Sequence, residues 1–371
     1  IPARTSTAKP LNFNFTIACA ARSVLTRARR CSIKFNRMSP MSDPSSNFSA
    51  AFADLVSAVS AAETLVVVSH GNPDGDAIGS AGALVAAARR AGKTAVGVFP
   101  GGAPERLAWM APAELFAEES QLSALLDSAD CVIVVDTSSA VQLGDLASAI
   151  TACSDKLFVL DHHTRPDLPA ACLAVDTTAG AAGLLVLELC ETLGWPVDLP
   201  LAEMLAVAIL TDTGWLRFSN TDARILAAMA RLVATGITLD TIYQEIYQQE
   251  RPQRLALKQR SLDSLVWHGG GAIAVMTLRE SDFAETGATS DETEGLVNEP
   301  FVVGAAEVSI LLVEAPGLTR VSLRSRGAVD VADLARKFGG GGHVRAAGIK
   351  TPEPLDAFCT TLLAAIEKKG L

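Results

Sequence analysis

The sequence predicts an α/β protein: a doubly wound, mostly parallel sheet, then a smaller α/β domain, joined to it by a helical linker. Three observations predict this. From Ser49 to Gly236 short β-branched runs alternate with Ala/Leu-rich helical stretches, as in strand–helix units of a parallel sheet. From Leu239 to Leu265 the chain turns Gln-, Glu- and Arg-rich with apolar residues at helical spacing, the pattern of a connecting helix or helix pair. Beyond it alternating strand-like runs return in a shorter set. The expected divisions are an unstructured basic tail at 1–45, a first domain at 46–236, a linker at 237–265 and a second domain at 266–371.

In chain order, an amphipathic helix begins near Ser49. The expected strands are Thr64–Ser69, Thr94–Phe99, Cys131–Asp136 and Lys156–Leu160, each a β-branched or apolar run buried on both faces. Helices are expected between them, among them Ala77–Ala91, which Gly92 can terminate, Ala179–Leu193 and Leu201–Leu210. In the second domain Ala272–Leu278, Val308–Val313 and Thr319–Leu323 alternate like strands, and Val331–Phe338 and Leu355–Lys368 are spaced like helices.

Composition narrows the functional class. The 371 residues are 49% hydrophobic, ample for buried cores, and no apolar run approaches the roughly 18 residues of a membrane span. Residues 1–40 hold eight Lys/Arg and no acid, so the formal charge of −10 leaves −18 on residues 41–371. That surface disfavours long nucleic acids, whose binding draws on an extended basic face, but not a small anion held through metal ions. The basic, acid-free start has the composition of a transit peptide or a disordered tail. The preferred reading is sequence translated from upstream of Met41. Seven scattered cysteines without paired spacing indicate reduced core residues of a cytoplasmic protein.

The chemistry sits where strands and helices end. Val66-Val67-Val68-Ser69 breaks into His70, and Pro73 and Gly75 turn the chain through Asp74 and Asp76 into a helix. Cys131–Val135 runs into Asp136, Leu157–Leu160 into Asp161-His162-His163, and Ala206–Leu210 into Thr211-Asp212-Thr213-Gly214. Any one of these acids alone reads as a turn or a helix cap. Three of the five histidines and a few aspartates at the same kind of position instead mark one crevice at the carboxyl edge of a parallel sheet. Carboxylates with neutral imidazoles suit two-metal phosphoester hydrolysis, in which the cations lower the pKa of a water between them and polarise phosphoryl oxygens. No cysteine lies beside a histidine in these motifs, so cysteine-based hydrolysis finds no support.

His-x-x-Pro-Asp-x-Asp-Ala-x-Gly-Ser at 70–80, Asp136, Asp161-His162-His163 and Thr211-Asp212-Thr213-Gly214 resemble the successive motifs of the DHH phosphoesterase superfamily. Phe338-Gly339-Gly340-Gly341-Gly342-His343-Val344-Arg345-Ala346-Ala347-Gly348 resembles the glycine-rich motif of the DHHA1 domain, not the C-terminal domain of the family's inorganic pyrophosphatases. With Thr293–Asn298 ahead of it, the arrangement is similar to bifunctional oligoribonuclease/pAp phosphatases, the NrnA-type nanoRNases. The resemblance covers roughly residues 50 to 368 and implies a manganese-dependent phosphoesterase with two Mn²⁺, for which Mg²⁺ or Co²⁺ can substitute. It implies action on short oligoribonucleotides from an end and on 3′-phosphoadenosine 5′-phosphate (pAp). Carried over, His70, Asp74 and Asp136 hold one metal, and Asp76, Asp136, His162 and Asp212 the other, with Asp136 bridging. His163 faces the scissile phosphate and Asp161 orients the histidine pair. Arg324, Gly340, Gly341, Gly342, His343 and Asn298 bind substrate, the glycines as a loop open to a phosphate. The chain departs from the pattern after Asn298, where Glu299-Pro300-Phe301-Val302-Val303 offers no basic residue.

Two other readings stand beside this one. A stand-alone phosphodiesterase for cyclic di-AMP or pApA belongs to the same superfamily, and a non-catalytic nucleotide-binding module belongs to another class. Expected partners are short RNA or small nucleotides, with no membrane and no long duplex. The oligomeric state is open, a homodimer included.

Overall fold

A computed structural model describes residues 44–102, 107–326 and 329–367. The tail expected at 1–45 lies outside the described residues, except that Pro44 and Ser45 already belong to the first helix. The chain runs α1 (Pro44–Ala61), β1 (Thr64–Val68), α2 (Gly75–Arg90), β2 (Thr94–Val98), α3 (Leu122–Ser128), β3 (Cys131–Val135), α4 (Ala147–Thr151), β4 (Leu157–Asp161) and β5 (Cys172–Val175). Helices α5 (Ala182–Thr192), α6 (Leu199–Asp212) and α7 (Ala223–Ala234) follow. The linker is the helix pair α8 (Leu239–Tyr247) and α9 (Pro252–Asp263). Pro252 separates them, because the residue before a proline is pushed out of helical backbone, and Arg251 is extended at φ −73°, ψ 150°.

The first sheet is parallel throughout, in the order β2-β1-β3-β4-β5. Its apolar runs are continuous because both faces are covered. Leu65, Val67, Ile133, Val135 and Leu160 pack with helices α1, α2, α5 and α6, while Val66, Val68, Val132, Val134 and Val159 pack with α3 and α4. The expected strands β1 to β4 form as expected to within a residue at each end. β5 was not anticipated. It has four residues at the sheet edge with only every second one well buried, too short a signal to separate from a loop.

Helix α2 lies close against α6. Gly79 makes this approach possible, since a Cβ there would meet the Met204 carbonyl oxygen at 2.4 Å. The start of α2 is thereby held beside the end of α6, and Asp76 beside Asp212.

The second sheet is six-stranded and mixed, from β6 (Val266–His268), β7 (Ile273–Leu278), β8 (Val308–Ala315), β9 (Leu318–Ser325), β10 (Gly341–His343) and β11 (Ala346–Thr351), in the order β10-β11-β9-β8-β7-β6. Helix α10 (Glu280–Thr286) follows β7, α11 (Val331–Arg336) precedes β10, and α12 (Leu355–Glu367) ends the described chain. One face packs Val275, Ile310, Leu312, Val321, Leu323 and Ile349 under α11 and α12. On the other face Leu257, Leu296 and Val297 cover Met276, Leu278, Leu311 and Val313, so only β7 and β8 are sheltered there. The glycine run expected as a loop is in part strand: Gly341–His343 pairs antiparallel with β11, Gly341 opposite Gly348. Without side chains those residues show no alternation, which is why the pairing is not visible in the sequence.

Candidate metal centre

Strand order puts the ends of β1 and β3 side by side, at the point where the chain reverses its winding direction and open α/β sheets hold ligands. Ser69 ties those ends together, its hydroxyl donating to the Val135 carbonyl at 2.8 Å. His70 follows β1 and Asp136 follows β3, and His70 Nε2 stands 3.3 Å from Asp136 Oδ2. Asp136 has φ 60°, a left-handed conformation that costs free energy in a non-glycine residue. Such strain marks a site where side-chain direction matters more than backbone comfort.

Asp74 caps α2, its Oδ1 accepting from the amides of Asp76 and Ala77 at 3.0 and 3.1 Å. The capping role and a ligating role are compatible, because a carboxylate has a second oxygen. Asp76 is 1% exposed. Its Oδ1 accepts from Ser80 Oγ at 2.9 Å and the Gly183 amide at 2.8 Å, and its Oδ2 from the Ala182 amide at 2.7 Å. Gly183 is required at that approach, as a Cβ would meet Ala208 Cβ at 2.5 Å. Asp212 closes the group from the end of α6, with Asn220 Nδ2 donating to its Oδ2 at 3.3 Å.

His162 stands among these carboxylates. Its Nε2 is 3.5 Å from Asp136 Oδ1 and 3.9 Å from both Asp76 Oδ2 and Asp212 Oδ2. That nitrogen is buried without a hydrogen-bond partner, while Nδ1 meets the Ala179 carbonyl at 3.1 Å. A carbonyl can only accept, so Nδ1 carries the hydrogen in the neutral ring and the Nε2 lone pair points at the acids.

Electrostatics records the crowding. Burial, then the charges of Asp136 and Asp212, hold Asp76 well above the usual carboxylate range. Burial, then Asp136 and Asp74, lift Asp212 to about 6 against the opposing pull of His162. Burial alone would lower His162, but Asp136, Asp76 and Asp212 outweigh it and push it up to about 10. Burial is likewise the largest single influence on His70 and would lower it, but the hydrogen bond to Asp136, the Gly71 carbonyl and the charges of Asp136 and Asp74 together raise it to about 9. Carboxylates that resist ionising together and an unpartnered imidazole nitrogen are what a cation site presents before cations offset its charge.

Ligand atoms of His70, Asp74 and Asp136 lie within 4.8 Å of one another, as do those of Asp76, His162 and Asp212, and of Asp136, Asp161, His162 and His163. All six ligands expected from the sequence are thus in one place. Asp161, fully buried, accepts from the His162 amide at 2.7 Å and pairs with His163 Nδ1 at 2.8 Å. Burial would raise Asp161, but the bond to His163 and the His162 amide hold it below the usual carboxylate range.

His163, whose side chain is 50% exposed, opens onto a cleft of about 860 Å³ between the two sheets. Gly342 and His343 line it from the far side. Gly340 and Gly341 line a different cavity, of about 500 Å³. Arg324 shares a row of the second sheet with Ala346 and His343 and is half-buried, its Nη1 donating to the Leu323 carbonyl at 3.0 Å. Asn298 is exposed on the 3₁₀ turn Leu296–Val302 and does not line the cleft. The cations missing after Asn298 are supplied to the cleft by Arg165, Arg336 and Arg345. Sequence reasoning assigned no role to these three, nor to Ser69, Ser80 and Asn220, although Arg345, Ser69 and Ser80 stand within the quoted motifs. Arg165 and Arg345 each stand two residues beyond a motif histidine, the one signal that pointed to them. The five described cysteines are free, and burial pushes the Cys131 thiol up to about 12, so it is no nucleophile.

Residues 64–237 match the DHH family, N-terminal domain, and residues 270–368 the DHHA1 domain. The chain is 32% identical to the bifunctional oligoribonuclease and PAP phosphatase NrnA of Thermus thermophilus, over 76% of this chain and 83% of that protein. It is 27% identical to the protein of the same name from Bacillus subtilis, over 80% of this chain and 91% of that protein. A crystal structure of an exopolyphosphatase-related protein from Bacteroides fragilis shares the fold, with a TM-score of 0.78 at 24% identity, over 86% of this chain and 96% of that one. The resemblance read from the motifs is borne out.

Proposed function

The chain belongs to the DHH phosphoesterase family, with a DHHA1 domain after its DHH domain, and from that premise we propose that it is a two-metal hydrolase of short oligoribonucleotides and pAp. The observation that carries the reading is His162 Nε2, buried, unpartnered and faced by three carboxylates within 3.9 Å. The donor set fits divalent cations with mixed oxygen and nitrogen preference, Mn²⁺ first and Mg²⁺ or Co²⁺ as substitutes. His70, Asp74 and Asp136 would hold one, and Asp76, Asp136, His162 and Asp212 the other. Bound there, the pair supplies a lowered pKa for an attacking water and Lewis acidity toward the phosphoryl oxygens.

The protein's own groups do the rest. Ala179, Asn220, Ser80 and the amides of 182 and 183 fix the ligands in place before any cation arrives. Asp161 accepts from His163 Nδ1 and raises the pKa of the ring, and the protonated ring then donates from Nε2 toward charge developing on the scissile phosphate in the cleft. Across the cleft His343 anchors the rest of the substrate, with Arg324 behind it in the same row of the sheet and not in the cleft lining, and Arg336 and Arg345 there and Arg165 on the near side add charge-assisted donors to phosphate. Chemistry would then belong to 46–236 and recognition mainly to 266–371, with Arg165 as the first domain's contribution to it.

The test is phosphate release from pAp and nucleotide release from a diribonucleotide, with Mn²⁺ and after chelation. Turnover that needs the metal supports the reading. Binding of pAp without turnover in excess Mn²⁺ would make the protein a nucleotide-binding module, and turnover confined to cyclic di-AMP and pApA would make it a phosphodiesterase of that kind.

A further inference from the structure

We propose that the uncovered face of the second sheet is a track for the far end of an oligonucleotide. Gly341 and Gly348 form a bare-backbone platform for one nucleoside, and Arg320 with Lys350 takes the phosphate beyond it. This rests on the reading of the protein as a hydrolase of short RNA and extends it away from the metal ligands.

The face has an unusual inventory. On β9 it presents Arg320, Ser322 and Arg324, and on β11, in register opposite them, Lys350, Gly348 and Ala346. β10 continues the rows with Gly341 beside Gly348 and His343 beside Ala346. No carboxylate occurs in this set. The apolar residues that cover the same face over β7 and β8 stop short of it.

Arg320 and Lys350 lie directly opposite across an antiparallel pair, an arrangement of like charges that is destabilising in the free protein. Among the described residues neither forms an ion pair, and Arg320 Nε is buried without a hydrogen-bond partner. Both line the 500 Å³ cavity together with Thr293, Ser322, Gly341 and Gly348. A buried guanidinium nitrogen lacking an acceptor, next to a second cation, is satisfied by an anion such as phosphate.

The two glycines have no structural explanation of their own. A Cβ on Gly341 would meet nothing within 4 Å, one on Gly348 would meet only the Val321 carbonyl at 3.6 Å, and neither residue has a positive φ. Packing and backbone geometry both tolerate a side chain at each. What a side chain would remove is the open space above two paired peptide strands, where a base or ribose can lie flat.

The platform joins two anion positions. At one end His343 lines the cleft that holds His163. At the other, four residues along β9 from Arg324, stand Arg320 and Lys350, a span of about 13 Å. A substrate whose scissile phosphate sits at His163 needs more than one nucleotide to reach them, so the track selects on length and leaves pAp unaffected.

The experiment measures KM in Mn²⁺ for pAp and for a 5′-phosphorylated pentaribonucleotide, across a salt series. The proteins are wild type, the Arg320→Ala/Lys350→Ala double variant and, independently, Gly348→Val. The double variant should raise KM for the pentanucleotide about tenfold while pAp stays within about twofold. Its plot of log KM against log salt should flatten by about 0.7 for each phosphate that the variant no longer holds, a signature that a purely structural role does not produce. Gly348→Val should raise KM for the pentanucleotide alone. Wild-type pentanucleotide KM and salt slope in the double variant overturn the track, as does an equal rise for pAp. Failure of the underlying reading looks different, since the wild-type protein itself would then release nothing from either substrate.

Discussion

The two sheets of this protein use their surfaces in opposite ways. The parallel sheet is covered on both faces, so its chemistry collects at an edge, where strand ends bring distant acids and imidazoles into one buried group. The mixed sheet is covered on one face and half of the other, and its open strands offer cations, glycines and an antiparallel backbone. A buried edge can hold cations rigidly but gives little room for a substrate. An open face gives room and positive charge but holds nothing tightly. The difference explains why a hydrolase of small polyanions would divide the work between two domains, and each prediction below strikes one side of that division.

The largest effect is expected at Asp136, which belongs to two of the three groups of ligand atoms and stands 3.5 Å from His162 Nε2 in the third. Asp136→Ala should cut kcat by about a thousandfold or more on every substrate, a minimal ester included, and lower bound metal, because both cations lose a shared ligand. Circular dichroism should show the fold intact. Near-wild-type turnover in excess Mn²⁺ would contradict the two-metal assignment.

His163→Ala should cost about a hundredfold in kcat while leaving metal content unchanged, as expected for a donor that acts in the transition state. Loss of metal in that variant would mean that His163 is a ligand and that the two histidines have exchanged roles.

Metal affinity should depend on pH with a definite sign. Without metal, Asp136 and its neighbouring carboxylates push His70 up to about 9 and His162 up to about 10, so both should be charged at neutral pH. Only the neutral ring ligates, so binding releases protons and affinity should rise about tenfold or more per unit between roughly pH 6.5 and 8.5. Calorimetry in two buffers of different ionisation enthalpy measures the release. Affinity that is flat over this range would contradict the picture of imidazoles charged by the surrounding carboxylates.

How much of this was legible in the sequence depends on whether a feature is local. The candidate ligands were readable because each stands directly after a strand or helix whose burial is written in adjacent residues: His70 after Val66–Val68, Asp136 after Cys131–Val135, Asp212 after Ala206–Leu210. The groups that hold them were not, because they arrive through the fold. Asn220 reaches Asp212 across a strained turn in which Trp215 and Leu216 have φ near 60°, and the amides at 182 and 183 reach Asp76 from more than a hundred residues away. β10 was hidden for a different reason, since glycines carry no alternation. The pairing of Arg320 with Lys350 depends on antiparallel register, which no single stretch of sequence specifies.

The central claim, that the first sheet does the chemistry and the second recognises the substrate, is tested most directly by one pair of measurements on Arg324→Ala. The variant is assayed on pAp and on bis-p-nitrophenyl phosphate, an ester with no second phosphate to anchor. A remote interaction that binds ground state and transition state alike appears in KM, so KM for pAp should rise about tenfold with kcat nearly unchanged. The minimal ester should be hydrolysed at the wild-type rate. If Arg324→Ala slows the minimal ester as much as pAp, the second sheet takes part in the chemistry itself and the division of labour is wrong.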